Sequence, residues 1–451
     1  MRFYIALWVG KLIAALVNII DKNRGSNFAG EKAIKIDKAM LKHFKVIPTS
    51  RMLFITGTNG KSTTNNLINH IFKENGFDVC TNLEGANLYP GIVTALIKKS
   101  NFLGSVKADF FIFEVDERSL ANIRRELPAE NILITNLQRD QVQRNGDPDF
   151  IVRKVKKALK IAKCNLYLNN DEPRSMGLSR YGNEVTTFGA QKHSLAFVKG
   201  ETFATMPCPK CGHDIKFEYF NNDGVGNFKC INCDCESSNK PDFLAENIDF
   251  IKKEFYISGI KFNMPYAEPH MLYNYSGAVA IANKFGNIEI KNIAKTFSTF
   301  KNIGGRYEIL HYKDNIIKYM RFKQENPETV QTCLNIIKED CDTKTVIIGL
   351  EPLKDFIPHY LPSFYLYDVD LAFLNDKSIE KMVIFSEGVA WDIEDCLIYQ
   401  GIPKEKIVTI DGDDNNKIMS AIDNSKTKNI YLLTWLHAFE TMKKFIEKEG
   451  K

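Results

Sequence analysis

The hydrophobic positions of this chain fall into short, largely apolar runs separated by longer stretches with helical spacing. Residues 51–56 (RMLFIT) read as a buried strand, and residues 66–72 carry the three-to-four spacing of a helix. Apolar runs at 110–115 (FFIFEV), 131–135 (NILIT) and 165–168 predict further strands, with a helix over 150–162 among the connections. Apolar strands alternating with helices predict a largely parallel sheet covered on both faces. Over residues 206–239 the texture turns to Cys, Gly, Asn and aromatic residues, which predicts an inserted hairpin module knit by metal. The α/β pattern then resumes with a helix through 273–284. A second α/β block is expected from near Arg306, with strands at 345–349, 381–385 and 429–434. Lys301-Asn302-Ile303-Gly304-Gly305 offers a flexible joint, so the expected domains are 1–304, carrying the 206–239 insertion, and 305–451.

Composition narrows the class. At about 150 residues per domain, 451 residues allow two or three domains. Apolar residues at 44% and charged residues at 25% exclude a disordered chain and a polytopic membrane protein. A formal charge of +5 is too small to argue for nucleic acid, and no nucleic-acid partner is expected. The apolar stretch 4–20 is interrupted by Gly10, Lys11 and Asn18, is shorter than the roughly 20 residues a span needs, and precedes no small-residue cleavage site. It reads as a docked helix of a cytoplasmic protein, with contact to the inner membrane surface as the second reading.

Two motifs carry chemistry. In Gly57-Thr58-Asn59-Gly60-Lys61-Ser62-Thr63, a strand runs into a glycine turn and then a helix. Backbone N–H groups of such a turn, at the positive end of a helix, can wrap phosphate oxygens; Lys61 can reach the β/γ phosphates, and Ser62 or Thr63 can ligate Mg²⁺. Counted from Gly57 the loop is shorter than the common GxxxxGK[ST] core, so its flanking elements carry part of the weight. Glu114 and Asp116 follow a strand, where carboxylates reach the metal of a bound nucleotide, and Glu114 is the favoured Mg²⁺ ligand. Thr135, Asn136, Arg139, Asp140 and Arg144, after the next strand, are weaker candidates for phosphate or substrate.

The second motif is Cys208-x2-Cys211, 18 residues, then Cys230-x2-Cys233. Two such turns build a tetrahedral all-sulfur site, which points to structural Zn²⁺ in a reducing compartment. Cys235 reads as a bystander and His213 as surplus to a complete shell. Between the pairs, Lys216 and Lys229 are balanced by Asp214, Glu218 and Asp223, so a brace fits better than a nucleic-acid ribbon.

The glycine loop, Thr81-Asn82-Leu83-Glu84-Gly85-Ala86-Asn87, Glu114-Val115-Asp116-Glu117, Thr135-Asn136-Leu137-Gln138-Arg139-Asp140-Gln141 and the four-cysteine ribbon come in one order. Together they resemble the Mur ligase superfamily and, within it, the MurT-like branch. The resemblance implies an α/β fold: a central P-loop ATPase domain with an inserted zinc ribbon, then an α/β C-terminal ligase domain. It implies that ATP phosphorylates the α-carboxylate of D-isoglutamate in the lipid II stem peptide, and that ammonia from a GatD-type glutaminase displaces the phosphate. Lys61, Ser62 and Glu114 would then serve phosphate and Mg²⁺. Asn274, in a Tyr273-Asn274 pair opening a helix, would lie near the adenine, and Arg306 would be the interdomain arginine. Another ATP-dependent carboxylate–amine ligase of the superfamily, or a paralogue without a glutaminase, is the alternative.

The sequence departs from that branch in its last third. In residues 321–331 (RFKQENPETVQ) only Asn326-Pro327 persists of the usual pattern, and in residues 360–368 (YLPSFYLYD) only Asp368 and the aromatic spacing do. The resemblance implies that an aspartate of this last segment completes a partner's glutaminase triad, which makes Asp368 the candidate.

Overall fold

The computed structural model describes all residues except 21–26, 45–47, 84–85, 139–147, 199–204, 223, 302–306, 323, 325, 352–361 and 450–451. Arg139, Asp140, Arg144, Arg306 and most of the expected joint lie outside the described residues.

Among the described residues, the first two-thirds of the chain supplies twelve strands: β1 (Met52–Thr56), β2 (Val79–Thr81), β3 (Phe110–Glu114), β4 (Asn131–Ile134), β5 (Asn165–Asn169), β6 (Val185–Ala190), β7 (Thr205–Pro207), β8 (Asp214–Asn222), β9 (Val225–Cys230), β10 (Phe243–Asp249), β11 (Glu254–Ile257) and β12 (Ile260–Asn263). Nine form one sheet in the order β12-β11-β10-β6-β5-β4-β1-β3-β2, parallel from β10 to β2 and antiparallel over β11 and β12. The continuous apolar strands are explained by burial on both faces. Phe54, in register with Phe113 and Ile132, packs under the helices Tyr89–Lys99 and Pro148–Leu159. Its neighbours Leu53 and Ile55, with Ile112 and Leu133, pack under the helices Lys61–Glu74 and Pro269–Lys284. The helices are longer than or offset from their expected bounds, because glycine and proline turns set their starts while the apolar pattern marks only their inner faces.

The N-terminal helix Arg2–Ile20 docks on the helices Phe28–Ile36 and Tyr89–Lys99. Its inward residues are Phe3, Ala6, Leu7, Gly10 and Ala14. A Cβ at Gly10 would stand 2.6 Å from Ile97 Cδ1, so glycine permits this close approach. Among the described residues, no helix is long and apolar enough to cross a membrane.

The last third adds β13 (Tyr307–Tyr312), β14 (Asn315–Arg321), β15 (Lys344–Gly349), β16 (Ile379–Ser386), β17 (Ile407–Asp411) and β18 (Asn429–Thr434), ordered β13-β14-β18-β15-β16-β17. All neighbours are parallel except β13 with β14. The surviving Asn326-Pro327 pair starts the helix Pro327–Glu339: Asn326 caps it by accepting from the Thr329 N–H at 2.9 Å, and Pro327 takes a position that needs no N–H donor.

Candidate functional site

In the nine-stranded sheet, β1 lies between β4 and β3, so the chain leaves it toward both sides and opens a crevice at the strands' C-terminal ends. Three strand ends meet there: Gly57 after β1, Glu114 closing β3 and Thr135 after β4. Gly57 and Gly60 adopt φ of +129° and +83°. Both are also crowded: a Cβ on Gly57 would stand 2.3 Å from Thr135 Oγ1, and one on Gly60 would stand 2.3 Å from Asn274 Oδ1. Glycine is thus required twice over, by torsion and by space. Gly60 caps the helix Lys61–Glu74, whose first-turn N–H groups face the crevice.

Side chains from the neighbouring strand end lace the loop in place. The Asn59 N–H donates to Asn136 Oδ1 (2.9 Å), Asn59 Nδ2 donates to Gln138 Oε1 (2.8 Å), and Thr135 Oγ1 donates to the Asn59 carbonyl (2.7 Å). The 135–138 segment is tied in turn by Glu172, whose Oε2 accepts from the Leu137 N–H at 3.2 Å. Burial raises the Glu172 carboxyl above its ordinary range, opposed by the Arg174 charge and by N–H donors of residues 174, 175 and 137. Thr135 and Asn136, weak candidates from sequence, are therefore struts of the loop.

Lys61 bonds within the loop to the carbonyls of Gly57 and Thr58, and its Nζ stands 2.8 Å from Glu117 Oε1. The same oxygen accepts from the Gly57 N–H at 3.1 Å, so the Glu117 carboxylate occupies an anion-binding position. No role attached to Glu117 in the sequence; its only signal was a third acidic residue after the strand. Glu114 is almost fully buried, and Asn87 Nδ2 donates to its Oε1 at 3.1 Å. A buried carboxylate with a neutral amide partner suits a divalent cation. Ser62 is half-buried in the first turn and Thr63 is buried beside it. Asp116 bends away to pair with Arg118 Nη2 at 3.1 Å; burial would raise its carboxyl, yet the Arg118 bonds and charge hold it below the ordinary range.

Asn274 does not open its helix. That helix starts at Pro269, behind Glu268, and Asn274 lies in its second turn, where Oδ1 accepts from Thr64 Oγ1 at 3.2 Å and abuts Gly60. Proline in the first turn sets the helix start four residues before the expected 273.

A cavity of 620 Å³ extends from this loop to the six-stranded half of the chain. Asn59, Gly60, Asn136 and Asn274 line one side; Met320, Arg321, Thr329, Thr332 and Cys333 line the other. Thr332 Oγ1 donates to Asn222 Oδ1 at 2.5 Å across the two halves. Arg321 puts a cation on the far wall, and in the sequence it marks only a departure from a pattern.

Asn222 ends β8 of a separate sheet, β7-β8-β9, which carries the cysteines at its opposite end. The sulfurs of Cys208, Cys211, Cys230 and Cys233 lie within 4.8 Å of one another, with 3.7 Å between Cys208 and Cys233 and 3.5 Å between Cys211 and Cys230. A tetrahedron with metal–sulfur bonds of ~2.3 Å has edges of about 3.8 Å. The N–H groups of Lys210 and Asn232 each donate to a sulfur at 3.4 Å, which suits thiolates. The donor set therefore fits a tetrahedral soft-metal site. Cys235 lies outside this set, and His213 is exposed beside it. At its cavity end the ribbon is fastened by Asn221 Nδ2, which reaches Tyr273 Oη (3.2 Å); Tyr273 donates to Asp171 Oδ2 at 2.9 Å. Burial pushes the Asp171 carboxyl up to about 6, opposed by donors from Ala190, Asn170 and Tyr273.

Asp368 ends the 3-10 stretch Pro362–Asp368, half-buried and absent from the cavity lining. Its segment is clamped by two glutamines. Gln331 Oε1 accepts from the Asp370 N–H at 2.7 Å, and Gln400 donates to the Val369 carbonyl at 2.9 Å.

Known proteins match this architecture. Residues 55–282 match the Mur ligase middle domain, and residues 324–438 match the MurT ligase C-terminal domain. The chain is 26% identical over 392 residues to the lipid II isoglutaminyl synthase (glutamine-hydrolyzing) subunit MurT of Staphylococcus aureus, covering 85% of each chain. It is 26% identical over 423 residues to the subunit of that name from Streptococcus pneumoniae, covering 91% of this chain and 90% of the other. In fold it resembles a pseudomurein peptide ligase type C from Methanothermus fervidus (TM-score 0.66, 19% identity, covering 91% of this chain and 81% of that one). It also resembles MurF from Acinetobacter baumannii (TM-score 0.65, 12% identity, covering 92% and 80%). With a Mur-type middle domain spanning half its length and a MurT-type domain after it, the chain belongs to the Mur ligase family and is an ATP-dependent ligase.

Proposed function

We propose that the protein amidates the α-carboxylate of D-isoglutamate in the lipid II stem peptide, using ATP and ammonia. The observation that carries this reading is the cavity between the glycine loop and the MurT-type half, in a chain whose relatives over most of its length are named lipid II isoglutaminyl synthase subunits. Residues 1–304 would form the ATPase domain and 305–451 the ligase domain.

A carboxylate is a poor electrophile, and phosphorylation gives it a leaving group. The loop N–H groups and Lys61 would hold the β/γ phosphates once Glu117 yields its place, and Lys61 would follow the charge as the phosphoryl group moves. Ser62 and the buried Glu114 would hold Mg²⁺, which neutralises charge on the phosphates. Asn274 would hold the nucleotide side of the loop, and Arg306, by resemblance, would act between the domains. Attack of the substrate carboxylate on the γ phosphorus gives an acyl phosphate and ADP; ammonia then adds to the carbonyl carbon, expels phosphate and loses a proton. Zinc at Cys208, Cys211, Cys230 and Cys233 would brace the ribbon that forms part of the cavity wall.

The test uses lipid II labelled with ¹⁸O in that carboxylate, with ATP, Mg²⁺ and ammonium. The expected result is an amidated stem peptide and one ¹⁸O in each phosphate released. Amide formation with unlabelled phosphate would overturn the acyl phosphate, and amino acid ligation in place of amidation would favour the alternative ligase reading.

A GatD-type glutaminase would supply the ammonia, with Asp368 orienting its catalytic histidine. Asp368→Asn is then expected to cut glutamine-dependent amidation by roughly 10³-fold while sparing the ammonia-dependent rate, because a carboxylate that fixes an imidazole tautomer serves only the glutaminase half. Equal rates from both nitrogen sources would reduce Asp368 to the end of a structural segment.

A further inference from the structure

The helix Arg2–Ile20 is apolar on both sides, although the fold covers only one. Ile5, Trp8, Leu12 and Leu16, spaced as one helical face, are 44%, 51%, 62% and 49% exposed. The neighbouring loop adds Phe102 and Leu103, at 70% and 64%. The two segments form one surface: Trp8 Nε1 donates to the Phe102 carbonyl at 2.9 Å, and Lys11 Nζ donates to the Ile97 carbonyl at 2.8 Å while lying 5.6 Å from the Phe102 ring. The polar atoms of Trp8 and Lys11 are thereby turned onto backbone carbonyls, leaving an apolar crown toward solvent. Such a patch on a folded chain marks a contact surface.

The charged residues of the two segments that carry it are of one sign. The charged residues of segment 1–20 are Arg2 and Lys11, and those of segment 98–107 are Lys98, Lys99 and Lys107. Lys99 pairs with Asp78, whereas Arg2, Lys98 and Lys107 are exposed. A two-fold contact with a second copy would bring these cations face to face, which is unfavourable. Aromatic and aliphatic residues rimmed by cations complement an interface of anionic headgroups over acyl chains. We propose that this patch docks the protein on an anionic lipid bilayer, with the helix lying in the interface. The proposal is independent of the reaction assigned to the cavity.

The test is co-sedimentation of the full chain with vesicles of phosphatidylglycerol and phosphatidylcholine, and with vesicles of phosphatidylcholine alone. Binding is expected to the anionic vesicles and to weaken with salt. Trp8→Ser with Leu12→Ser should lower it by about tenfold or more, since each side chain loses its apolar contact. Lys98→Glu with Lys107→Glu should abolish the preference for anionic lipid. Both double variants should keep a cooperative melting transition, lowered in the Trp8/Leu12 variant by no more than the lost Trp8–Phe102 bond, and wild-type ATP turnover, which separates loss of docking from loss of fold and from failure of the ligase reading. No sedimentation of the wild type, or equal sedimentation of the Trp8/Leu12 variant, would overturn the proposal. A wild-type dimer in light scattering that the Trp8/Leu12 variant splits would overturn it in favour of a second copy.

Discussion

Lys61→Ala is expected to lower ATP-dependent turnover by about 10³-fold, because it removes the one loop cation aimed at the transferring phosphoryl group. Its geometry adds a second consequence. Lys61 and Glu117 are nearly buried as a pair, 12% and 10% exposed, so the alanine leaves the Glu117 carboxylate without its cation. Breaking a buried pair on one side costs roughly 3 kcal/mol. Combining Lys61→Ala with Glu117→Gln should therefore restore much of the melting temperature and none of the turnover. Phosphate release and thermal melting of wild type, both single variants and the double variant give the full cycle. Turnover near the wild-type rate in Lys61→Ala would overturn the phosphate assignment of the loop. If the double variant melts as low as the single one, the Glu117 charge is not the source of the instability.

Cys208→Ser with Cys230→Ser, or chelation of the wild type, is expected to remove about one zinc per chain and to melt the ribbon. The small cluster of Ile215, Phe228 and the cysteines is too slight to hold three strands without the metal. The effect should spread in one direction. Asn221 and Asn222 fasten the far end of β8 to Tyr273 and Thr332, so ribbon loss should loosen the cavity wall while the glycine loop, held by Asn136 and Asn274, keeps its nucleotide affinity. Metal analysis, melting and limited proteolysis within residues 205–236 check this. Purified protein with well under one zinc per chain, or unchanged melting after the metal is stripped, would contradict a structural metal.

Strands β1, β3, β4, β5, β15, β16 and β18 were legible because their residues answer to local rules, whereas β2, β6, β10 to β14 and β17 carried no expectation. The cores of RMLFIT and FFIFEV are apolar residue after residue, as strands buried on both faces must be, whereas the helix that Asn326-Pro327 starts was not expected from the sequence. The four cysteines were legible for the same reason, since a CxxC turn presents two sulfurs by its own geometry.

What the sequence by itself determined was therefore the α/β alternation, the glycine loop, the cysteine pairs and their order along the chain. Tertiary structure alone decided that Glu117, rather than Glu114, faces Lys61, and that Asn274 comes from 210 residues beyond Thr64 to close on Gly60. It also decided that the ribbon reaches the second half through Asn222, and that one face of an apolar N-terminal helix stays bare. Hydrogen bonds, torsions and periodicity act between near neighbours and leave a local signature. Which carboxylate meets which cation, and which apolar face is left uncovered, depends on how remote segments are brought together, and that is settled only when the sheets are closed.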